Sequence, residues 1–343
     1  MSTKVESIEE ILEALQYVNL VRIKFNTQHN WFACPLYEIK ENIINVILET
    51  KYSKGIKTDG CVRIKFSSSR FEYIVLADIC EVTDFNLIGI SLDNFEAKKF
   101  INSRKYARYD TSLGVNMCTE DRETLDGVLK NLSLGGALIT TEHQINKNSI
   151  TQINIHLDKD IVIKTNIRIA RESYDQEREE YNYGVEFVDV SKENYQILKK
   201  TVRKFEKTTF NSFNLLNDFE NKDITTYNKR IIIFDYNDIE KVDIRESLAK
   251  MSAQNYEVIY DFTYYVDFFL SEEIDITIID MEKLNDKNSN LIESINKNFP
   301  NITVIVVMPY EYLNEKIEFL KGIKVLYRPL VHNEFEDEII KYL

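Results

Sequence analysis

The chain has 343 residues, 44% of them hydrophobic, and a formal net charge of −13. That length suits two or three domains better than one core, and the apolar content excludes wholesale disorder. The acidic balance argues against binding a nucleic acid polymer or an acidic membrane through a general basic surface, so an anionic ligand must be met by a local cluster of Lys and Arg.

Met1–Gln16 is acidic and amphipathic, unlike a signal peptide. Ser7-Ile8-Glu9-Glu10 has a capping-box pattern, and Ile8, Ile11, Leu12 and Leu15 recur at helical spacing. Together they predict a helix of about ten residues. The period then falls to two. Val21-Arg22-Ile23-Lys24-Phe25 alternates apolar and basic, and the same pentapeptide returns at Val62–Phe66. A shared binding role for the basic residues is one reading; two half-buried antiparallel strands with solvated outer faces is the better one. With further strands near Asn42–Leu48 and Phe71–Leu76, residues 1–100 are expected to form a small β domain.

Residues 101–208 read as a second β block, with strands at Ser112–Cys118, Thr124–Leu132, Gly136–Thr140, Ile150–Leu157, Ile161–Ile169 and Tyr183–Val188. Ser191 as N-cap, Glu193 in the first turn, and Tyr195, Leu198 and Val202 on one face predict a helix reaching Lys207. Six strands and a closing helix suggest a small barrel. Residues 209–228 lack a clean period and are expected to be a partly packed linker. From 229 to 343 the class changes: Ile231–Phe234, Val258–Tyr260, Ile276–Ile279, Val304–Val307 and Val325–Tyr327 alternate with helical stretches. Strands apolar on both faces signal a parallel sheet covered on each side, here a flavodoxin-like α/β domain. The expected fold class is therefore multidomain: a small β domain, a six-stranded barrel with a C-terminal helix, and an α/β domain.

Cys34, Cys61, Cys80 and Cys118 form no C-x-x-C pair and sit in or beside apolar runs. They read as small buried hydrophobes in a reducing compartment. His29, His143, His156 and His332 show no metal-ligand spacing. No apolar run approaches the roughly 20 residues needed to span a bilayer. A cytoplasmic protein with no metal and no resident cofactor is expected. Without a nucleophile–base pair, a P-loop or G-x-G-x-x-G, an enzyme is not expected.

Chemistry concentrates where charge reverses. Between Lys98 and Arg108 the chain reads KKFINSRKYAR, with Arg104 and Arg108 four apart ahead of the second block's first strand. Then comes Asn131-Leu132-Ser133-Leu134-Gly135-Gly136, holding the only adjacent pair among nine glycines. Glycine in a strand pattern marks a bulge, a turn, or close approach by a ligand or another backbone. Asn131 and Ser133 could simply shape a turn, and the arginines could simply hold surface carboxylates.

Arg104-x-x-x-Arg108 followed by Asn131-x-Ser133-x-x-Gly136 resembles the two-part signature of PilZ domains, and Gly184-Val185-Glu186-Phe187 resembles that family's G-V-x-F strand. The resemblance covers the second block and implies a receptor for cyclic di-GMP, with Arg104, Arg108, Asn131, Ser133 and Gly136 as binding residues. In that picture the guanidinium groups fork onto guanine O6 and N7 or onto phosphate, which lysine cannot do. Asn131 meets a guanine edge, Ser133 donates to phosphate or sugar, and Gly136 lets ligand and backbone approach. Ser103 stands where many PilZ domains carry a further arginine, with Lys105 after Arg104, which leaves stoichiometry and affinity open.

By position, length and strand pattern the first block resembles the N-terminal domain of flagellar-brake-type proteins. The third resembles a response-regulator receiver, with Asp235 and Asp280 in a vestigial phosphoacceptor pocket. Tyr236 stands where a second acidic residue belongs, Met308 where a hydroxyl belongs and Arg328 where a lysine belongs. Three departures imply a pseudo-receiver that docks or dimerises. The implied function is a cyclic di-GMP effector: ligand capture at the junction of the first two domains selects an arrangement read by a protein partner, such as a flagellar motor or signalling component. The alternatives are a response regulator phosphorylated on Asp280, and a PilZ-like scaffold that no longer binds nucleotide.

Overall fold

A computed structural model describes all residues except 1, 26–30, 50, 51, 53–55, 57, 59, 69, 70, 84, 85, 103, 105, 119–123, 146–150, 158–160, 177, 178, 221–226, 236–242, 260–268, 271, 272, 285 and 331. His29, Ser103, Lys105 and Tyr236 therefore lie outside the described residues. The chain divides into two compact units, residues 1–103 with 210–343, and residues 104–209.

The first unit opens with β1 (Ser2–Val5), α1 (Ile8–Leu15), β2 (Leu20–Phe25), β3 (Phe32–Lys40), β4 (Ile43–Ile47), β5 (Cys61–Ser68), β6 (Phe71–Val82) and β7 (Leu87–Ile101). The sheet runs β7-β4-β3-β2-β5-β6 and closes on itself through β6–β7, with β1 added along β7. Ser7 caps α1 as its spacing predicts, accepting the Glu10 amide at 3.4 Å, and Ile11 and Leu15 are buried. The repeated pentapeptides become neighbouring antiparallel strands, with Arg22 opposite Lys65 and Lys24 opposite Arg63. Val21, Ile23, Val62, Ile64 and Phe66 fill the barrel core, while Lys65 meets Glu72 at 3.3 Å. Alternation thus produced a half-buried strand pair, as expected. β3 is a strand the sequence reading does not place, because Pro35 interrupts its pattern. β7 extends to Ile101, so Lys98 and Lys99 at the start of the basic run belong to a strand. Cys34 is buried, but Cys80 faces outward on β6, against the expectation that all four thiols pack inside.

The second unit holds β8 (Tyr109–Cys118), β9 (Thr124–Leu132), β10 (Gly136–Thr141), β11 (Thr151–His156), β12 (Val162–Asp175) and β13 (Glu180–Val188), then α2 (Lys192–Phe210). Its strands close into an antiparallel barrel ordered β10-β13-β12-β11-β8-β9. Val115, Met117, Leu129, Ile139, Ile153, Ile155, Tyr183 and Val185 point inward. Ser191 caps α2 by accepting the Asn194 amide at 3.2 Å, and Leu198 and Val202 are its buried face. Tyr109 at the start of β8 donates its hydroxyl to Glu206, a carboxylate only 1% exposed. That bond latches helix to barrel.

Back in the first unit, α3 (Phe213–Phe219) forms inside the stretch expected to be a linker. Five parallel strands follow, β14 (Ile231–Asp235), β15 (Tyr256–Ile259), β16 (Ile276–Asp280), β17 (Thr303–Pro309) and β18 (Lys324–Arg328), in the order β15-β14-β16-β17-β18. The α-helices among the described residues here are α4 (Asp243–Lys250), α5 (Asp286–Asn298) and α6 (His332–Ile339). Alternate residues of each strand feed two separate cores, Ile231, Ile233, Ile276 and Ile278 on one face, Ile232, Phe234, Ile279 and Val306 on the other. This is why the strands read as continuous apolar runs. The α/β domain docks on the first barrel. Phe210, Phe213 and Ala249 cluster against Leu20, Phe219 meets Tyr37 edge-on at 4.9 Å, and Asn19 Nδ2 donates to Ser247 Oγ at 3.4 Å. No described helix is long and apolar enough to cross a membrane.

Candidate functional site

The register of β8 and β9 decides whether the two basic side chains can share a cleft with the glycine turn. Tyr109 pairs with Leu132 and Asp110 with Asn131. Arg108, just before β8, and Ser133, just after β9, therefore stand at the same end of one antiparallel pair.

The turn itself is tightly held. Both the amide and the hydroxyl of Ser133 donate to the Gly136 carbonyl, at 2.9 and 3.0 Å, and Ser133 is 3% exposed. The Gly135 carbonyl accepts from Phe187 of β13 at 3.0 Å, which anchors the turn to the next strand. Tyr106, midway between the two arginines, lies on Gly135: a Cβ there would sit 2.8 Å from ring atom Cδ2 and 3.0 Å from Cε2. Only a residue without a side chain admits the ring so close. The arginine segment is thus draped over the turn, with Arg104 and Arg108 both half-buried.

Gly136 is demanded by the barrel, since a Cβ would fall 2.1 Å from the Val185 carbonyl oxygen. The close approach it permits is to backbone. Asn131 is half-buried, and its amide oxygen is buried with no hydrogen-bond partner among the described residues. A buried acceptor left unpaired costs about 1–3 kcal/mol, and an ordered water or a ligand can meet it. For Ser133 to donate to a ligand, its hydroxyl must rotate away from Gly136. Tyr106 and its contact with Gly135 escaped sequence reasoning, although the aromatic ring sits inside the R-x-x-x-R segment.

The second cluster lies at the carboxyl ends of β14, β16 and β18. Asp235 and Asp280 are partners in register, and Asp280 is 1% exposed. Arg328 forks onto both oxygens of Asp280, Nε to Oδ1 at 3.0 Å and Nη2 to Oδ2 at 2.6 Å. The same guanidinium donates through Nη1 to Asp243 at the start of α4. Burial opposes the charge on Arg328, but the carboxylates of Asp243 and Asp280 outweigh it and hold the guanidinium pKa above its ordinary value. Met308 is fully buried and presents no hydroxyl. Asp243 was not legible as a partner, because nothing local marks it. Among the described residues, no group of three or more His, Cys, Asp or Glu side chains is placed to hold a metal ion.

Residues 102–204 match the family model of the PilZ domain. Three solved structures are similar at low identity. The Bacillus subtilis inhibitor of motility MotI/DgrA is 16% identical, covers 54% of this chain and 95% of its own, and has a TM-score of 0.28. YcgR from Escherichia coli in complex with c-di-GMP is 14% identical, with 61% and 93% covered and a TM-score of 0.33. The K. pneumonia MrkH–c-di-GMP complex is 13% identical, with 65% and 100% covered and a TM-score of 0.34. No curated protein matches the chain.

Proposed function

We propose that this chain, through its PilZ domain, is a receptor for cyclic di-GMP that passes ligand occupancy to a protein partner. The carrying observation is the Tyr106–Gly135 contact, which with the β8–β9 register brings the two halves of the signature into one place. Arg104 and Arg108 are the forks for guanine or phosphate. Asn131 offers its unpartnered oxygen and its amide protons to a guanine edge. Ser133 and Gly136 shape the turn on which the ligand rests, with the Ser133 hydroxyl as a further contact.

The arginine arm also occupies the stretch by which the chain passes from the first compact unit to the second, since the boundary falls between Ser103 and Arg104. A ligand that clamps this arm stabilises one arrangement of the units over others, and differential affinity for the two arrangements is all a ligand needs to shift the equilibrium. Control of motility or another surface behaviour fits such an output.

The competing reading, a response regulator phosphorylated on Asp280, meets an obstacle in Arg328. Both Asp280 oxygens are engaged by a buried guanidinium, in the position a phosphoryl group and its divalent cation would need. The α/β domain is better read as a docking module, a role it already fills on the first barrel.

Calorimetric titration of the full chain with cyclic di-GMP tests the proposal. Arg104→Ala and Arg108→Ala should each cost about 1–3 kcal/mol of binding, roughly 5- to 150-fold in affinity. Wild type that gives no binding, or Arg108→Ala that binds unchanged, removes the receptor reading and leaves the scaffold.

A further inference from the structure

Strand register carries the candidate site beyond its motif residues. Asp110 of β8 pairs with Asn131 of β9, Asn131 with Leu138 of β10, Leu138 with Gly184 of β13, and Gly184 with Arg171 of β12. Residues directly opposite in antiparallel strands point to the same face, so these five form one row across the barrel. That face is the outer one, because the flanking Leu132, Ala137, Ile139, Tyr183 and Val185 are all buried in the core. At about 4.8 Å per strand, Asn131 and Gly184 stand about 10 Å apart.

Gly184 is the saddle of this row. A Cβ on it would lie 2.6 Å from Cγ, 2.7 Å from Nε and 3.1 Å from Cδ of Arg171. The arginine stem therefore crosses from β12 over β13, along the row that leads to Asn131. A register shift between Ile169 and Arg171 is what brings Arg171, rather than its neighbour, opposite Gly184. The nearby Arg168 is neutralised by Glu186, Nε to Oε2 at 3.1 Å. Arg171 is exposed and makes no hydrogen bond or ion pair among the described residues. An unengaged guanidinium laid over a glycine, in line with an unpartnered buried amide oxygen, is an unusual pairing in a chain of net charge −13.

We infer that Arg171 is a further ligand-binding residue of the second barrel, forking onto the guanine edge of the bound dinucleotide, with Gly184 the saddle that lets its stem lie flat. This rests on the receptor reading above. The Tyr106 arm and the turn hold the ligand at the β8–β9 end of the row, and Arg171 meets a base at the β12 end. A guanidinium discriminates at that position because guanine presents two acceptors, O6 and N7, where adenine presents one acceptor and a donor.

The test titrates the full chain, as wild type, Arg171→Ala, Arg171→Lys and Arg108→Ala, with cyclic di-GMP and separately with cyclic di-AMP. Arg171 is a surface side chain, so circular dichroism of its variants should match wild type. The expected result is a roughly tenfold loss of cyclic di-GMP affinity in Arg171→Ala, little recovery in Arg171→Lys, and a narrower preference for guanine over adenine. Unchanged affinity in Arg171→Ala beside a weakened Arg108→Ala overturns the inference while the receptor reading stands. An equal loss toward both dinucleotides overturns the guanine contact. Wild type that binds neither removes the receptor reading and this inference with it.

Discussion

Gly135→Ala should weaken cyclic di-GMP binding without unfolding the barrel. The added methyl would sit 2.8 Å from Cδ2 and 3.0 Å from Cε2 of Tyr106. Carbon atoms rest at about 3.5–4.0 Å, so the ring must retreat by about 0.7 Å or more. Tyr106 is two residues from each of Arg104 and Arg108, and a shift of that size moves both forks off the short, directional geometry that hydrogen bonds require. Losing even about 1 kcal/mol from contacts worth about 1–3 kcal/mol each gives a loss of about fivefold. Tyr106→Ala should also weaken binding, since an arm without its anchor must be ordered at the moment of capture, at a cost of about 1–2 kcal/mol per residue fixed. The assay is calorimetry on wild type, both single variants and the double variant, with urea unfolding to confirm that the barrel persists. In the Tyr106→Ala background, Gly135→Ala should have little further effect, because the clash it creates is gone. Wild-type affinity in Gly135→Ala, or losses that simply add in the double variant, would refute the claim that the turn positions the arm through this ring.

Arg328→Ala should destabilise the α/β domain by about 3–5 kcal/mol in urea unfolding, since it leaves the buried Asp280 carboxylate uncompensated; a loss under about 1 kcal/mol would show that water already screens the pair. Wild type incubated with acetyl phosphate and magnesium should show no phosphoryl adduct at Asp280 by mass spectrometry, and a stoichiometric adduct would reinstate the response-regulator reading. Tyr109→Phe should cost about 0.5–1.5 kcal/mol of barrel stability, because the buried Glu206, which also faces Arg203 at 3.6 Å, loses one of its donors; an unchanged urea midpoint would show that the Tyr109 bond adds nothing. At Asp275, burial pushes the carboxyl pKa up, but the Arg230 amide at 2.8 Å and the Lys229 ammonium at 2.9 Å outweigh it and hold it below the ordinary carboxylate value. The unfolded chain therefore binds the proton more readily, so this contribution is present above the unfolded pKa near about 4 and is lost as pH falls through the folded one. Asp275→Asn should flatten that acid limb in urea midpoints measured across it, and an unaltered slope would refute the assignment.

The three-part organisation was legible because each part writes a different period into the chain. Val21 to Phe25 and Val62 to Phe66 alternate and became paired strands, while Ile231 to Phe234 is apolar throughout and became a strand covered on both faces. The six strands of the second barrel were each visible, and β9 begins and ends where its pattern does. β3 was hidden by Pro35, and α3 by a stretch too short and irregular to show a helical face. For the candidate site, residue types and spacing pointed to Arg104, Arg108, Asn131, Ser133 and Gly136, and the structure adds what two of them do for the fold. Gly136 answers to the Val185 carbonyl, and the Ser133 hydroxyl closes its own turn.

Local pattern and chemistry therefore settled most of the strands and the stretch that carries the signature-like residues, since a residue's preference for one face or one turn depends on near neighbours. Tertiary structure alone brought Tyr106 onto Gly135, Arg328 onto Asp280 and Arg171 over Gly184. Each of those contacts joins positions that only barrel closure, strand order or a shifted register makes adjacent, and none of the three leaves a periodic trace along the chain.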